Sequence, residues 1–300
     1  MTLRITFDVF SGRPNPVVVV TGAEEKDLLR RLAPARGRAR RGRVRDFPES
    51  TLGYRGLIIE RIESDTRRQG PAVRPTRTIR VVDGTVRSGK AVSLAADPGV
   101  EDYVCGSTGP ARLTGLGRDF CERLVSELLR HRDLIQRIEW PPTIHWPQRS
   151  TCPCAPHWEP SWWNDAGPVQ FGNNCYNYGT DYRSDTFAQP GLASGAMYAS
   201  ITCAEVRAGA VADALIASPK ANNKCPKQGH LVALVVGPRW DFHWYRKQRN
   251  GRWTHKPGRS PATNLDDSGH VIMDPRAADR GGYTDFCTFM VVMHGHVRIR

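Results

Sequence analysis

The spacing of apolar residues predicts an N-terminal half made of strands and closed by one long helix. Apolar and polar residues alternate over residues 3–10, and the turn-forming run Ser-Gly-Arg-Pro-Asn-Pro separates that stretch from the β-branched run at 17–20. Further strands are predicted at 54–62 and 77–86, the second divided by an Asp-Gly turn. Apolar residues at helical spacing predict helices at 24–32 and 116–138.

The second half reads as two helices followed by strands. The helices are predicted at 174–182 and 204–216, and the strands at 231–236, 242–247, 252–255 and 286–299. Asn250-Gly251 is the tightest hairpin signal in the chain. The order predicts the α+β class throughout, with an antiparallel sheet in the second half.

The tryptophans mark a boundary between the halves. All eight lie between Trp140 and Trp253, and the stretch 140–163 holds five of them with six prolines. Since 300 residues are about twice the usual length of one domain, we predict an N-terminal α+β domain at 1–139, a Trp/Pro-rich connector at 140–165 and a second α+β domain at 166–300.

The composition, together with the lack of a recognisable export signal, predicts a soluble cytoplasmic protein. Hydrophobic residues make up 39% and charged residues 24% of the chain, which is typical of globular proteins. The longest apolar runs are too short to span a bilayer, and Arg4 and Asp8 interrupt the place of a secretory signal. We therefore expect no membrane partner, and we expect the eight cysteines to be reduced thiols, metal ligands or a nucleophile.

The net charge of +13 raises the question of an anionic partner. Six arginines alternate with Gly, Ala and Val over residues 36–45, which suits phosphate or an acidic peptide. No aromatic residue is interleaved to stack on a base, so a solvated loop is the alternative and nucleic acid is not the expected partner.

Cys175 is the candidate nucleophile. It follows Gly-Asn-Asn and precedes a predicted helix, and a helix N-terminus lowers the pKa of a thiol. His230 and His243, on later strands, are the candidate bases. The alternative is a buried structural cysteine.

Aromatic residues on adjacent predicted strands form a candidate peptide-binding wall. They are Trp240, Trp244, Tyr245 and Trp253, with Arg246 placed to hold a carboxylate. Ordinary sheet packing explains the same pattern.

No cofactor is expected, because no phosphate-binding glycine loop follows a predicted strand. Cys152, Cys154 and His157 leave a structural zinc site open, although their spacing is not a standard one. The aspartates at 266, 267, 274, 279 and 285 miss the calcium-loop template and indicate a turn-rich loop. We assign no metal site.

The string Gln170-Phe-Gly-Asn-Asn-Cys175-Tyr resembles the papain-like cysteine hydrolases. That resemblance implies a papain-like second domain in which Gln170 supports the oxyanion hole, Cys175 attacks and His230 is the base, with His243 or His255 orienting it. Gln170 lies one residue closer to the cysteine than in the papain pattern.

Longer strings resemble an uncharacterised group of bacterial proteins. They are Phe-Asp-Val-Phe-Ser-Gly-Arg-Pro-Asn-Pro, Asn-Asn-Cys-Tyr-Asn-Tyr, Thr-Phe-Ala-Gln-Pro-Gly, His-Trp-Tyr-Arg and His-Lys-Pro-Gly. The chain also resembles the peptide-binding proteins of ribosomal-peptide pathways such as crocagin biosynthesis. Together these resemblances imply a peptide-recognising protein, either a cysteine peptidase or amidase or a non-catalytic binder that guides a precursor peptide in natural-product biosynthesis. The oligomeric state stays open.

Overall fold

The computed structural model describes residues 2–35, 50–62, 77–137 and 151–300. Helices and two antiparallel sheets confirm the α+β class. The chain separates into two compact units: unit 1 is Met1–Val9, Asn15–Phe47 and Tyr54–Gln136, and unit 2 is Phe10–Pro14, Pro48–Gly53 and Arg137–Arg300. The division at 139 and 165 stays a prediction.

Unit 1 contains a six-stranded antiparallel sheet in the order β2-β1-β3-β4-β5-β6. Its strands are β1 (Thr2–Asp8), β2 (Val17–Thr21), β3 (Gly56–Ile62), β4 (Arg77–Val82), β5 (Thr85–Ser88) and β6 (Ala91–Leu94), and its helices are α1 (Gly22–Leu32), α2 (Val100–Cys105) and α3 (Gly117–Arg137).

Period-two burial in β1 builds the core of this unit. Leu3, Ile5 and Phe7 all point to the buried side of the sheet. Phe7 meets Phe120 of α3 edge to face at 6.5 Å between ring centroids. The predicted Asp-Gly turn between β4 and β5 is confirmed, since both turn residues have positive φ, as a tight hairpin requires.

A buried ion pair closes the end of β1. The Asp8 carboxylate accepts from Arg55 Nη2 at 2.7 Å, from Asn15 Nδ2 at 3.1 Å and from Arg80 Nη2 at 3.3 Å. Burial acts to raise the pKa of Asp8, but the charges of Arg55 and Arg80 outweigh it and hold the pKa below its usual value. Both Asp8 and Arg55 are almost completely excluded from solvent.

Unit 2 contains a five-stranded antiparallel sheet in the order β10-β9-β8-β11-β7. Its helices are α4 (Pro168–Gly172), α5 (Cys175–Thr180) and α6 (Cys203–Ala212), and its strands are β7 (Ile216–Ala217), β8 (His230–Gly237), β9 (Asp241–Lys247), β10 (Trp253–His255) and β11 (Asp285–Val292).

Both faces of this sheet are covered, which explains the unbroken apolar run of β8. Val232, Leu234 and Val236 pack into one core cluster together with residues of α5 and α6. Ala233 and Val235, on the opposite face, pack into a second cluster that includes residues from the loop before β11. A strand buried on both faces loses the alternation that marks a half-exposed one.

The predicted strand at 286–299 is too long. β11 ends at Val292, and the chain then turns through Gly295, whose φ of +79° lies in the left-handed region that glycine adopts without strain. The predicted helix at 204–216 also ends early, at Ala212, and β7 follows it.

Two predictions concern features beyond these elements. The arginine run at 36–45 lies outside the described residues. Among the helices of the described ranges, none combines the length and the apolar character needed to cross a bilayer.

We predict that Asp8→Asn destabilises unit 1 by about 3–5 kcal/mol, because it leaves the buried Arg55 guanidinium without its counter-charge. The check is the free energy of unfolding from urea denaturation at neutral pH. The control is Glu24→Gln, which removes the partly exposed pair with Arg112 and should leave the unfolding midpoint nearly unchanged. Equal effects of the two substitutions would contradict the prediction.

Candidate functional site

A buried carboxylate at the start of β9 holds the turn at residues 11–13, which belongs to unit 2. Asp241 accepts the backbone N–H groups of Ser11 at 2.5 Å, Gly12 at 3.1 Å and Arg13 at 3.0 Å. It also accepts the hydroxyl of Tyr283 at 2.5 Å. Burial raises the pKa of Asp241, while these donors act to lower it. Successive N–H groups that converge on one anion form a nest, here filled by the protein's own side chain.

Glycine is required at position 12 for this contact. A Cβ there would lie 2.4 Å from the ring of Phe242. The Gly12 carbonyl accepts from Asn174 Nδ2 at 2.7 Å and from Gln189 Nε2 at 2.8 Å. The N–H groups of the turn are therefore held by a carboxylate, and its Gly12 carbonyl is held by two side-chain amides.

Ser11 continues into a chain of hydrogen-bonded imidazoles. Its hydroxyl lies 2.5 Å from His243 Nδ1, His243 Nε2 lies 2.8 Å from His255 Nδ1, and His255 Nε2 lies 2.9 Å from the carbonyl oxygen of Leu265. Because a carbonyl only accepts, His255 carries its proton on Nε2. His243 must then donate to His255 and accept from Ser11, so one tautomer of each neutral ring satisfies the whole chain.

The surroundings keep the His255 ring neutral. His243 and His255 are both fully buried, and the ring of Tyr245 stacks on His255 at 4.9 Å between centroids. Burial lowers the pKa of His255 to about 4, and the bond to Leu265 offsets only part of that effect. His255 therefore holds its place in the fold without carrying charge near neutral pH.

Cys175 is placed where the sequence predicted, at the first turn of a helix. Asn174 caps α5 in a capping box with Asn177. The thiol itself is fully buried, and its Sγ donates to the carbonyl oxygen of Phe242 at 3.9 Å. Burial, reinforced by the charge of Asp241, raises the pKa of Cys175 far above its ordinary value. The group is a neutral thiol, whereas a nucleophile needs the thiolate.

The other residues assigned to catalysis have partners of their own. His230 Nε2 donates to the carbonyl oxygen of Gly179 at 2.8 Å, and burial lowers its pKa to about 4. Gln170 Oε1 accepts from the N–H of Ala166 at 3.2 Å, and its Nε2 donates to the carbonyl of Arg259 at 3.3 Å. Each holds a backbone segment in place.

The predicted aromatic wall lies inside unit 2. Trp240, Trp244, Tyr245 and Trp253 are at most 3% exposed. Trp244 packs on Tyr176 at 5.3 Å between centroids, which is the packing alternative of the sequence analysis.

Arg246 also has an internal partner. Its Nη1 donates to Asp181 Oδ1 at 2.5 Å, and its guanidinium lies 3.9 Å from the ring centroid of Tyr178. The carboxylate that Arg246 was predicted to bind in a ligand is supplied here by Asp181 of the same chain.

The expectation of reduced cysteines is wrong for four of the eight. Cys152 pairs with Cys225, with Cα atoms 5.4 Å apart, and Cys203 pairs with Cys287 at 5.3 Å. The first of these disulfides removes Cys152 from the zinc ligands considered with Cys154 and His157. Among the described residues, no three His, Cys, Asp or Glu side chains are placed to hold a metal ion.

Sequence reasoning missed the roles of Ser11, Asp241 and Tyr283. Ser11 lies in a run that reads as a plain turn, and Asp241 reads as the polar residue before a strand. Their pairing joins positions about 230 residues apart, so no local spacing signals it.

Acidification should unfold unit 2 through its buried histidines. The folded pKa of His255 is about 4 and its unfolded value is about 6.5, so the unfolded chain binds more protons between these values and stability falls as the pH falls through that window. The full effect is about 3 kcal/mol. We predict that His255→Gln lowers the free energy of unfolding at pH 7. We also predict that the variant loses less stability than the parent protein between pH 7 and 4.5.

The measurement is urea unfolding at a series of pH values. Comparison of two variants cancels the contributions of carboxylates such as Asp241 that are common to both. His296→Gln, in an exposed turn, is the matched control and should keep the slope of the parent. A slope unchanged in His255→Gln would contradict the role of this ring.

No family model matches the chain, and no solved structure matches it. A curated relative does: the chain is 46% identical over 141 residues to insoluble matrix shell protein 1 of Ruditapes philippinarum, an alignment that covers 46% of this chain and 91% of the relative.

This relative overturns several predictions. The assignment to a bacterial family, with resemblance to papain-like hydrolases and to crocagin-type binders, is wrong, because the relative is a shell protein of Ruditapes. The predicted peptide recognition, whether by a cysteine peptidase or amidase or by a precursor-peptide binder, is wrong for the same reason, and so is the predicted cytoplasmic location. With 46% identity over nearly the whole length of that relative, the chain belongs to the family of insoluble matrix shell protein 1.

Proposed function

We propose that this protein is a structural component of an insoluble extracellular matrix. The observation that carries the proposal is its membership of the family of insoluble matrix shell protein 1. A protein of such a matrix works by persisting in place, so its structure has to resist unfolding more than it has to turn over a substrate. Two features of unit 2 support that reading.

The first supporting feature is the pair of disulfides. Cys152–Cys225 joins residues 73 apart in sequence, and Cys203–Cys287 joins residues 84 apart. Links over such long loops restrict the unfolded chain and typically add a few kcal/mol of stability. Disulfides of this kind persist in oxidising compartments, which suits an extracellular location.

The second supporting feature is an interior in which reactive side chains are held by the chain itself. Lys256 is fully buried, and its Nζ donates at 2.6 Å to each of three carbonyl oxygens, those of Gln170, Asn173 and Gly258. Asp241 and His255 are buried and hydrogen-bonded in the same way. Buried polar groups that are fully paired make a core specific and rigid.

The charge of the chain favours an anionic matrix polymer as its partner. A net charge of +13 attracts polyanions at ordinary ionic strength. On unit 2, Trp162 is 60% exposed with Arg183 stacked over its ring at 4.5 Å, and Phe171 is 36% exposed with Arg259 over its ring at 5.1 Å. An exposed ring beside a guanidinium suits an acidic polysaccharide, since the ring covers the sugar face and the guanidinium binds its carboxylate or sulfate.

We expect the native protein in the extracellular, salt- and detergent-insoluble fraction of the tissue or culture that makes it. Mass spectrometry after alkylation in denaturant without reductant should show four labelled cysteines: 105, 121, 154 and 175. All eight should be labelled once reductant is added. Recovery in the soluble intracellular fraction with eight free thiols would contradict the proposed location and the proposed role.

We expect the purified chain to bind beads of an acidic polysaccharide and to elute as salt rises, because salt screens the attraction between exposed charges. Beads of a neutral polysaccharide are the control for the matrix. Trp162→Ala should weaken retention several-fold, while Leu192→Ala, at another exposed apolar side chain, should not. Equal retention on neutral beads would contradict an anionic partner.

A further inference from the structure

A buried amine in unit 2 faces a side-chain amide. Lys247, the last residue of β9, is 4% exposed. Its Nζ donates to the backbone carbonyl oxygen of Asn223 at 2.7 Å and also to the side-chain Oδ1 of the same residue. Burial lowers the pKa of Lys247 to about 8, while the charge of Asp274 acts to raise it. A substantial fraction of the amine is therefore neutral, and hence nucleophilic, in mildly basic solution.

The amide of Asn223 is held at both ends. Its Oδ1 accepts from the indole Nε1–H of Trp253 at 2.8 Å. Its Nδ2 donates to Asp274 Oδ2 at 3.2 Å and to the carbonyl oxygen of Met273 at 3.1 Å. A donor on the oxygen stabilises negative charge that develops there, and a carboxylate beside the nitrogen can relay to it a proton taken from an attacking amine.

The surrounding structure fixes these groups. Trp253 lies directly across the β9–β10 hairpin from Lys247, is fully buried, and has its ring centroid 5.1 Å from Nζ. Asn223 lies two residues before Cys225, which the disulfide to Cys152 anchors. The fold thus brings the nucleophile, the amide and the carboxylate together. Such proximity lowers the activation free energy of a reaction between them.

We propose that Lys247 and Asn223 become joined by an intramolecular isopeptide bond. The neutral amine attacks Cγ of Asn223, a new C–N bond forms, and the electron pair of the carbonyl moves to Oδ1, where the Trp253 indole stabilises it. Asp274 accepts the proton lost by the amine and delivers it to Nδ2. The Cγ–Nδ2 bond then breaks, ammonia leaves, and the carbonyl re-forms as a secondary amide.

The step balances with no oxidant, metal or cofactor, since one amide and one amine become one amide and ammonia. It closes a loop between residues 24 apart. Unlike the two disulfides, the product resists reduction. This inference goes beyond the proposed matrix role and does not depend on it, because the bond is formed within one chain.

The test is the intact mass of the full-length protein after complete reduction and denaturation. We expect a mass lower than that of the sequence by one ammonia, and a proteolytic peptide pair in which Asn223 is linked to Lys247. Lys247→Arg and Asp274→Asn should each restore the full mass. Asn222→Ala, which leaves the neighbouring amide intact, is the matched control and should keep the loss of ammonia.

The variants also separate chemistry from folding. Circular dichroism should show that Asp274→Asn is folded, and its melting temperature should be lower than that of the cross-linked parent by several degrees. In refolded protein the bond should form faster as pH rises through about 8, where Lys247 loses its proton. Full sequence mass in the folded parent after prolonged incubation at pH 9 would overturn the proposal, as would loss of ammonia without the linked peptide pair.

Discussion

The carboxylate of Asp241 accepts the N–H groups of a turn that lies 228 to 230 positions earlier in the chain. Transfer of a charged carboxylate out of water costs several kcal/mol unless donors occupy its lone pairs. Here three backbone N–H groups and one tyrosine hydroxyl do so. The N–H groups of the turn find an acceptor in Asp241, and Asp241 finds most of its donors in the turn, so each partner stabilises the other. This mutual stabilisation is why residues 10–14 belong to unit 2.

The same turn orders the interior behind it. Ser11 supplies the hydroxyl at one end of the imidazole chain, and the carbonyl of Leu265 fixes the other end. Residue types that serve catalysis elsewhere, a thiol beside a helix N-terminus and histidines on adjacent strands, here occupy positions closed to solvent. Their polar atoms form hydrogen bonds that hold backbone segments in place and fix the tautomers of the imidazoles. Burial, rather than residue type, decides between the two uses, since it sets whether a thiol ionises and whether an imidazole titrates near neutral pH.

Local signals predicted local structure well. The Asp83-Gly84 and Asn250-Gly251 turns, the long helix of unit 1 and the apolar run of β8 all follow from a few neighbouring residues, and the structure has them where the pattern put them. The site could not be read in this way. The depth of Cys175, the pairing of the cysteines and the contact of Ser11 with His243 depend on how distant segments meet. The cytoplasmic assignment failed because it rested on a missing signal pattern.

The cluster of Lys247, Asn223 and Asp274 is a second case in which contacts between distant segments leave no local signal in the sequence. Its members lie at the end of a strand and in two loops, and no motif connects them in sequence. The aspartate-rich stretch indicated only a turn-rich loop, and in the structure Asp274 of that stretch holds an amide and an arginine. Only the folded structure brings an amine beside that amide.

The chain also alternates between its two units, so the pieces of unit 2 are synthesised at very different times. The Ser11 turn leaves the ribosome well before Asp241 and Tyr283, which complete its contacts. A nascent chain therefore carries this turn without its carboxylate partner until residue 241 has been made. Closure of that turn with all of its partners therefore has to wait until the chain has been translated past residue 283.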